Sequence, residues 1–258
     1  MANTYLTLAA STPTSAQKGT MSFWVKRSGL SSTQILMAWD ENSTSYSRLY
    51  FNSSDRLAFI SLDGGTNYGE LITNRLFRDT SAWYHIVCAI DTTLGTSGDR
   101  IKFYVNGVRE TSFNTESQPT QNRNLKIGEA AVYIGRHSSD YYFDGSISHM
   151  NYVDGTQYQA SDFGSTDSTT GEWKINTSPS VTYGANGFFI LKDGNSVTDQ
   201  SGQSNNFTVG GGTLTKTEDC PSNVFPIFNG MYCPKSSTDA GAFLNGGTTV
   251  GGSPGDAS

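Results

Sequence analysis

Histidine and cysteine, the residues that most often supply a base or a nucleophile, are scarce in this sequence. The chain has three of each among 258 residues. His85 and Cys88 lie three residues apart in WYHIVCAI, a segment typical of a β-strand, so their side chains would point to opposite faces and could not form a nucleophile–base pair locally. The positions of the histidines and cysteines also fit no zinc pattern. The sequence therefore offers no catalytic centre built on these residues.

The carboxylates are more numerous, but they are placed in turns. Hydrolysis of a glycosidic bond needs two carboxyl groups across that bond, about 5–5.5 Å apart in retaining enzymes. The acidic side chains mostly fall between the predicted strands; they include Asp40, Glu41, Asp55, Asp63, Asp91, Asp99, Asp144 and Asp154. We therefore predict that the protein is not an enzyme and needs no organic cofactor.

Two adjacent aromatic residues in HSSDYYFDG are the candidates for a binding surface. Tyr141 and Tyr142 follow Asp140. Neighbouring side chains on a strand point to opposite faces, which predicts one tyrosine in the core and one exposed. An exposed ring next to polar groups could pack against a neighbouring subunit or form a platform for a glycan. The sequence favours subunit packing and leaves the glycan platform as the alternative.

The elements that must position these residues are β-strands. Charged residues make up 16% of the chain, 28 residues are glycine, and no amphipathic helical stretch of about 12 residues stands out. Segments such as MSFWVKR and AWYHIVCAID are alternating or apolar on both faces, and turn residues separate them. In DRIKFYVNGVRE the apolar side chains alternate, and Asn106-Gly107 predicts a type I′ hairpin turn. These patterns predict an all-β protein with an antiparallel β-sandwich.

The segment FDGSISHMNYVDG breaks strict alternation. Ile147 and Met150 are both apolar but lie three residues apart, and a β-bulge between them would bring both to the core face. We expect His149, within this step, to lie on the solvent or interface side of the strand.

The last part of the chain has a different texture. Residues 220–258 are rich in Gly, Ser, Thr and Pro and contain too few apolar side chains to build a core. We predict an extended C-terminal arm that lies along a neighbour or along its own sandwich, anchored by Phe225, Ile227, Phe228 and Tyr232. An arm that reaches a neighbour would make the protein a homo-oligomer, and we expect a trimer.

Charge and hydropathy exclude two classes of partner. The net charge is −6 and no basic cluster occurs, which argues against nucleic acid. No apolar run of about 18 residues could cross a membrane. The first residues, MANTYLTLAASTPTSAQKGT, lack the basic and apolar regions of a signal peptide, so we expect synthesis in a cytoplasm.

Four segments, in order, resemble strands of laminin-G-like domains of the concanavalin-A-like superfamily: MSFWVKRSG, WYHIVCAIDTT, IKFYVNGV and VYIGRHSSDYYFDGSISHMNYVDG. The resemblance covers about residues 3–163 and implies a jelly-roll β-sandwich. Hydrolases of this superfamily carry a Glu-x-Asp-x-x-Glu or Glu-x-Asp-x-Glu motif, which this sequence lacks. Many laminin-G-like domains bind calcium through loop carboxylates, and the candidates by motif position are Asp40, Asp144 and Asp199. Asp199 could instead cap its own turn.

The sequence after residue 151 resembles a second group of proteins. YVDGTQYQASDFGSTDSTTGEWKI and TYGANGFFILKD…TDQSGQSNNFTV are similar to stretches of virion proteins of marine tailed phages, up to about residue 228. This implies a structural virion protein, such as a capsid decoration, a head or tail appendage or a fibre component. Such a protein would pack against itself and other virion proteins after synthesis in the host cytoplasm. The alternative is an adhesin that binds a host-surface glycan, and a less favoured one is a polysaccharide-cleaving enzyme.

Residues 187–209 read like the start of a laminin-G-like domain, although they lie late in the chain. Such domains open with a strand, a DSSGNGN-type turn and a second strand, and these are missing before NTYLTLAAS. We expect the late segment to complete the sandwich, in its own chain or in a neighbour; the alternative is an incomplete second module. The expected organisation is a sandwich in 1–163, a connecting segment with late strands in 164–219, and an arm in 220–258.

Overall fold

The computed structural model describes residues 3–137, 140–192 and 194–222, together with two short strands at 242–244 and 249–251. The chain divides into two units, residues 1–221 and 222–258. In the second unit the two strands pair antiparallel. The predicted anchors of the arm lie outside the described residues, so their role stays a prediction: Phe225, Ile227, Phe228 and Tyr232.

Strands dominate the described residues. In chain order they are β1 Tyr5–Leu8, β2 Lys18–Arg27, β3 Gln34–Asn42, β4 Ser45–Phe51, β5 Arg56–Asp63, β6 Thr66–Leu76, β7 Tyr84–Asp91, β8 Ile101–Val105, β9 Val108–Arg109, β10 Phe113–Ser117, β11 Ala131–Ile134, β12 Gly145–Asp154, β13 Gly164–Thr166, β14 Trp173–Ile175, β15 Phe188–Ile190, β16 Thr208–Gly211, β17 Ala242–Leu244 and β18 Thr249–Gly251. The helical elements of the described residues are two 3₁₀ turns, Ser97–Asp99 and Ala160–Asp162. No described helix is long and apolar enough to span a membrane.

The first unit is built on two antiparallel sheets. Sheet A has the strand order β10-β6-β5-β4-β3-β11-β1-β16, and sheet B has the order β15-β12-β2-β7-β8-β9. Apolar side chains from the facing sides of both sheets form one buried cluster, which includes Leu6, Trp39 and Leu49 of sheet A and Phe23, Ile86 and Phe103 of sheet B. This confirms the predicted all-β, antiparallel β-sandwich.

Alternation along each strand decides which face joins the core. In β2, Phe23 and Val25 are fully buried between the sheets, and Trp24 between them points to the other side of sheet B. Burying one such apolar side chain stabilises the fold by about 1.5–3 kcal/mol, so a shift of register by one residue would be costly.

Two local predictions are confirmed. The hairpin between β8 and β9 has Asn106 at φ 48° and Gly107 at φ 80°, the positive angles of a type I′ turn. The register of β12 against β2 shifts between Ser148 and Asn151, which is the expected bulge.

The expectation for His149 is wrong. Its side chain is buried, at 3% exposure, and its φ is 49°. The late segment explains the burial, because Leu191 accepts a hydrogen bond from the His149 backbone N–H at 3.1 Å and Phe189 lies against the imidazole ring. A neighbour so distant in sequence could not be read from the local pattern.

The late segment supplies an edge strand to each sheet of its own chain. Strand β15 pairs with β12 at the edge of sheet B, and β16 pairs with β1 at the edge of sheet A. Phe188, Ile190 and Phe207 from this segment are buried in the central core. The late segment therefore forms the outer strand of each sheet next to β1 and β12, within its own chain.

Residues 155–187 cover the outward face of sheet B. Tyr158, Phe163, Trp173, Val181 and Tyr183 pack over outward side chains of that sheet and form a second apolar cluster with Val87, Ala89, Tyr104, Val153 and Phe189. One face of the sandwich is thus closed by the chain itself.

Candidate functional site

The outward face of sheet A differs from that of sheet B in accessibility. The outward side chains of β7 in sheet B, Val87 and Ala89, are fully buried under the covering segment. In sheet A the outward positions alternate with core positions such as Ser47 and Leu49, and they keep part of their surface exposed; they include Tyr46, Arg48, Tyr50, Ile60, Leu62 and Tyr133. An outside molecule can therefore reach sheet A more readily than sheet B.

Tyrosine and arginine side chains concentrate at one part of this surface. We call it the tyrosine–arginine face, and its members are Tyr5, Tyr46, Arg48, Tyr133, Arg136, Tyr141 and Tyr142. Strand register explains the grouping, because Leu6 pairs with Ile134 and Thr7 with Tyr133, so β1 and the end of β11 run side by side. β11 in turn pairs with β3, and β3 with β4.

Arg136 lies against two aromatic rings. Its guanidinium carbon is 3.4 Å from the ring centroid of Tyr5 and 5.2 Å from that of Tyr133. Its Nη1 donates a hydrogen bond to the Tyr142 hydroxyl at 3.3 Å. Cation–π contact on a ring face fixes the plane of the guanidinium.

A second stack forms around Arg48. Its guanidinium carbon lies 3.4 Å from the ring centroid of Tyr46, and its Nε and Nη2 both donate to Asp40 Oδ1 at 3.2 Å. His137 contacts both Arg48 Nη2 and Asp40 Oδ1. Burial lowers the pKa of His137, and the Asp40 carboxylate opposes that effect. A neutral imidazole can accept a hydrogen bond from Arg48, which fits the contact.

Tyr141 and Tyr142 lie in a loop, so the prediction of one core and one exposed ring on a strand is wrong. Tyr141 has φ 59° and is 52% exposed, and Tyr142 is half-buried with its ring centroid 6.3 Å from that of Tyr5. Backbone hydrogen bonds shape this loop: Phe143 donates to Gly135 at 2.8 Å, and Ile35 donates to Tyr141 at 2.9 Å. The loop carries both rings to the tyrosine–arginine face.

The three aspartates proposed for calcium do not converge. Asp40 is paired with Arg48, and its side chain is 3% exposed. Both oxygens of Asp199 accept hydrogen bonds, from the Phe189 and Ser201 backbones at 2.8 and 2.9 Å and from the Ser201 hydroxyl and the Asn205 backbone at 2.8 and 2.9 Å. The described residues contain no group of three or more His, Cys, Asp or Glu side chains suited to a metal. Calcium binding by Asp40, Asp144 or Asp199 therefore stays a prediction from the resemblance.

The motifs that resemble virion proteins tie the late part of the chain to the sandwich. Asp154, at the end of β12, accepts hydrogen bonds from the backbones of Thr14 at 2.6 Å and Asn186 at 3.0 Å. The Asn186 side chain donates to the carbonyls of Ser11 and Gly128. Gly184 has φ 72°, and a Cβ there would lie 2.0 Å from the Asp154 carbonyl oxygen. The residues of TYGANG therefore have structural roles.

His85 has surroundings that the local sequence does not reveal. Its ring lies between those of Trp24 and Trp173, with centroids 5.1 and 5.9 Å away. Trp173 Nε1 donates to His85 Nδ1 at 2.9 Å, so the neutral ring carries its proton on Nε2, which lies 2.9 Å from the Ser22 hydroxyl. Burial lowers the pKa of His85 to about 3. An imidazole that is neutral and 1% exposed cannot act on an outside substrate.

A small cleft opens between β8, β9 and β10. Its volume is about 160 Å³, and Gly98, Ile101, Lys102, Arg109, Glu110, Thr111, Phe113 and Glu116 line it. Binding pockets for small molecules usually measure about 300–1,000 Å³. The cleft is therefore too small to replace the tyrosine–arginine face as the candidate site.

Comparison with solved structures finds proteins with a similar fold. A candidate carbohydrate binding protein of Bacteroides ovatus superposes with a TM-score of 0.50 at 16% identity, over 84% of this chain and 58% of that one. A heptameric SAP-like pentraxin of Limulus polyphemus has a TM-score of 0.44 at 14% identity, and the match covers 60% of this chain and 71% of that one. The LG4-5 domains of the mouse laminin alpha1 chain have a TM-score of 0.43 at 12% identity, and the match covers 73% of this chain and 44% of that one. At these identities the likeness concerns the fold alone.

Sequence comparison assigns the family. No curated protein sequence matches the chain. A laminin-G family model, described as concanavalin A-like lectin/glucanases superfamily, matches residues 1–160. This match covers more than half of the 258 residues and agrees with the two-sheet sandwich. The protein therefore belongs to the laminin-G-like family of the concanavalin A-like lectin/glucanases superfamily.

Proposed function

We propose that this protein is a glycan-binding module whose site is the tyrosine–arginine face of sheet A. The observation that carries the proposal is the arrangement of partly exposed tyrosine rings beside arginine and aspartate groups on an accessible sheet face. A sugar offers an apolar C–H face that can stack on an aromatic ring, and hydroxyl groups that can bond to planar polar side chains. The face supplies both kinds of partner.

The rigidity of the polar groups supports the same proposal. Arg48 is held by Asp40 and by the ring of Tyr46, and Arg136 is held by Tyr5 and Tyr142. Groups fixed before binding lose little conformational entropy when a ligand arrives. The surface is thus prepared for weak, polar ligands such as sugars.

The comparisons add support at the level of the fold. The family includes lectins in its description, and the Bacteroides ovatus structure is described as a candidate carbohydrate binding protein. An argument from fold to function is an analogy, so the site itself carries the greater weight.

We propose the surface of a tailed-phage virion as the location of this module. The support is the resemblance of residues 151–209 to virion proteins of marine tailed phages. There the module would attach the particle to a host-surface glycan. Fractionation of purified particles with an antibody against this chain tests the location, and its absence from particles would contradict it.

The glycan proposal is tested on a panel of immobilised neutral, carboxylated and sulfated oligosaccharides. Wild-type protein should bind at least one class, and Tyr141→Ala and Tyr142→Ala should each weaken that binding at least about tenfold, since each removes a ring from the face. Val108→Ala is the matched control, because Val108 is 63% exposed but lies on β9 of the other sheet. Failure to bind any member, or equal binding by all variants, would contradict the proposal.

A second candidate function is packing against copies of the chain or other virion proteins. The observation in its favour is the same exposed pairing of tyrosine and arginine, because both residues are enriched at the centres of protein interfaces. Light scattering distinguishes the two functions. A closed oligomer that Tyr141→Ala dissociates would favour packing, whereas a variant that loses glycan binding at unchanged mass would favour the module.

A further inference from the structure

We propose that Arg136 recognises an anionic group, a carboxylate or a sulfate, on the glycan bound at the tyrosine–arginine face. This inference rests on the proposed glycan-binding function and names the class of sugar: an acidic one. It follows from the partners, burial and orientation of a single guanidinium group.

Among the arginines of the described residues, Arg136 differs in that it forms neither an ion pair with a carboxylate nor a hydrogen bond to a backbone carbonyl. Six arginines form ion pairs with carboxylates: Arg27, Arg48, Arg75, Arg78, Arg109 and Arg123. Arg56 and Arg100 donate to backbone carbonyls. Among the described residues, the hydrogen-bond partner of Arg136 is the neutral hydroxyl of Tyr142.

The guanidinium is already partly removed from water. Its Nε is buried and makes no hydrogen bond within the described residues. Two tyrosine rings lie against it, with the guanidinium carbon 3.4 Å from the ring centroid of Tyr5 and 5.2 Å from that of Tyr133. A charge in such a place interacts with an opposite charge more strongly than a fully hydrated one does, because screening by water is reduced.

The free end of the group faces the surface. Nη1 donates to Tyr142 Oη, while Nη2 has no partner in the described residues and, unlike Nε, is not buried. Carboxylate and sulfate oxygens accept hydrogen bonds in the plane of a guanidinium, which the two rings hold fixed. Tyr142 Oη accepts from Nη1, so its own hydrogen remains available as a further donor to the anion.

One carboxylate near this position is already engaged by positive or polar groups. Asp40 is paired with Arg48 and in contact with His137. The carboxylate of Asp140 raises the pKa of His137 and the charge of Arg136 lowers it, so both charges act on the same imidazole. The net charge of −6 disfavours general binding of polyanions, so affinity for an acidic sugar would depend on this one arginine.

The stacked arginine also has a purely structural interpretation, in which it only joins β1 to the loop after β11. The two interpretations differ in what a substitution does. Arg136→Lys keeps the positive charge but loses the planar fork, and Arg136→Gln loses the charge. A structural role would show as lower stability in both variants, with no change in the preference between acidic and neutral sugars.

The test measures binding of the full chain to polygalacturonate, dextran sulfate and neutral dextran, and to the carboxylated, sulfated and neutral members of the oligosaccharide panel. Arg123→Gln is the matched control, because Arg123 also stacks on a tyrosine, 3.3 Å from the Tyr68 ring, but is paired with Asp63. We expect wild-type protein to bind acidic sugars at least about tenfold more tightly than neutral ones. Arg136→Gln should abolish that preference, Arg136→Lys should reduce it, and Arg123→Gln should retain it within about twofold.

The outcomes separate this inference from the function on which it rests. Binding of carboxylated ligands alone, or of sulfated ligands alone, would identify the anionic group and would support the inference. If neutral sugars bind as tightly as acidic ones, the proposed glycan-binding function is supported, but the proposed role of Arg136 is overturned. Equal losses of affinity for acidic sugars in Arg136→Gln and Arg123→Gln would indicate general charge attraction and would also overturn the role of Arg136. Binding to no sugar would contradict both proposals.

Discussion

Two ring-stacked side chains show how the same contact has different consequences on the two sheets. His85 is enclosed between Trp24 and Trp173, at 1% exposure, and both of its ring nitrogens have partners. Arg136 lies against Tyr5 and Tyr133, remains partly exposed, and has one neutral hydrogen-bond partner among the described residues. The first arrangement stabilises the fold, and the second leaves bonding capacity for a ligand.

His85 should make the protein sensitive to acid. Its pKa is about 3 in the folded protein and about 6.5 in an unfolded chain. Below pH 6.5 the unfolded chain binds a proton that the folded one does not, so stability falls as the pH decreases from 6.5 towards 3. Between pH 7.5 and 4.5 the loss should be about 2–3 kcal/mol in the free energy of unfolding.

Urea unfolding of wild-type protein and His85→Gln at the two pH values measures this effect. The variant lacks the titrating group, so its loss should be smaller by that amount. His137 and the carboxylates are common to both proteins and cancel in the difference. Equal losses would show that His85 does not contribute.

Individual side chains were predictable only where their surroundings are local. The alternation in WYHIVCAI correctly predicts that His85 and Cys88 face opposite sides, and Cys88 is buried in the central core. The cover over His85 comes from Trp173, 88 residues away in sequence, and no local pattern contains that information. The partners of Arg136 likewise come from β1 and from a loop.

At the scale of elements, the late segment from β15 to β16 is held by its connecting turn. Asp199 accepts four hydrogen bonds, one of which comes from the backbone of Phe189 in β15. The turn thereby fixes the angle at which the chain leaves one sheet and reaches the other. This resembles capping by an Asx turn.

Asp199→Ala should destabilise the protein by about 2–4 kcal/mol, because it leaves several donors without an acceptor. Asp79→Ala is the matched control: Asp79 also accepts from a serine two residues on, Ser81, but in an exposed turn that joins no late strand. It should leave the urea midpoint nearly unchanged. Equal midpoints for the two variants would contradict the role given to Asp199.

The wild-type protein and Asp199→Ala also test whether calcium binds, which remains a prediction from the resemblance. If the carboxylate of Asp199 serves the turn, addition of calcium or of EDTA should leave the melting temperature unchanged. A rise of several degrees with calcium, lost in Asp199→Ala, would show that the aspartate is a ligand.

Elements were predictable where the signal lies within about ten residues. The Asn106-Gly107 hairpin and the bulge in β12 follow from turn chemistry and from the break in alternation. The loop that contains Tyr141 could not be predicted in this way. The positive φ of Tyr141 and the backbone hydrogen bonds of the loop to Gly135 and Ile35 depend on the packing of β3 and β11. The sequence therefore predicts the strands and the fold, but it does not predict the loop that completes the candidate site.

At the scale of the molecule, the sandwich needs the late strands to close both sheets. Removal of residues 188–258 would expose the edges of β1 and β12 and remove Phe188, Ile190 and Phe207 from the core. We expect this truncation to aggregate. A chain of residues 1–222 keeps both strands and should unfold cooperatively.

Light scattering and urea unfolding of the two truncations, with the full chain as control, check this prediction. A soluble, cooperatively folded 1–187 fragment would show that the late strands are dispensable. The mass of the full chain also tests the predicted trimer: a monomer would contradict a role for residues 220–258 in joining subunits.

The measurement that tests the central claim most directly is to map where a sugar binds. Backbone and side-chain NMR shifts are followed while the tightest ligand of the oligosaccharide panel is added to the wild-type protein. Our account predicts that the largest changes occur at Tyr5, Tyr133, Arg136, Tyr141 and Tyr142, on one face of sheet A. Changes centred on the cleft between β8 and β10, or on the covered face of sheet B, would contradict it.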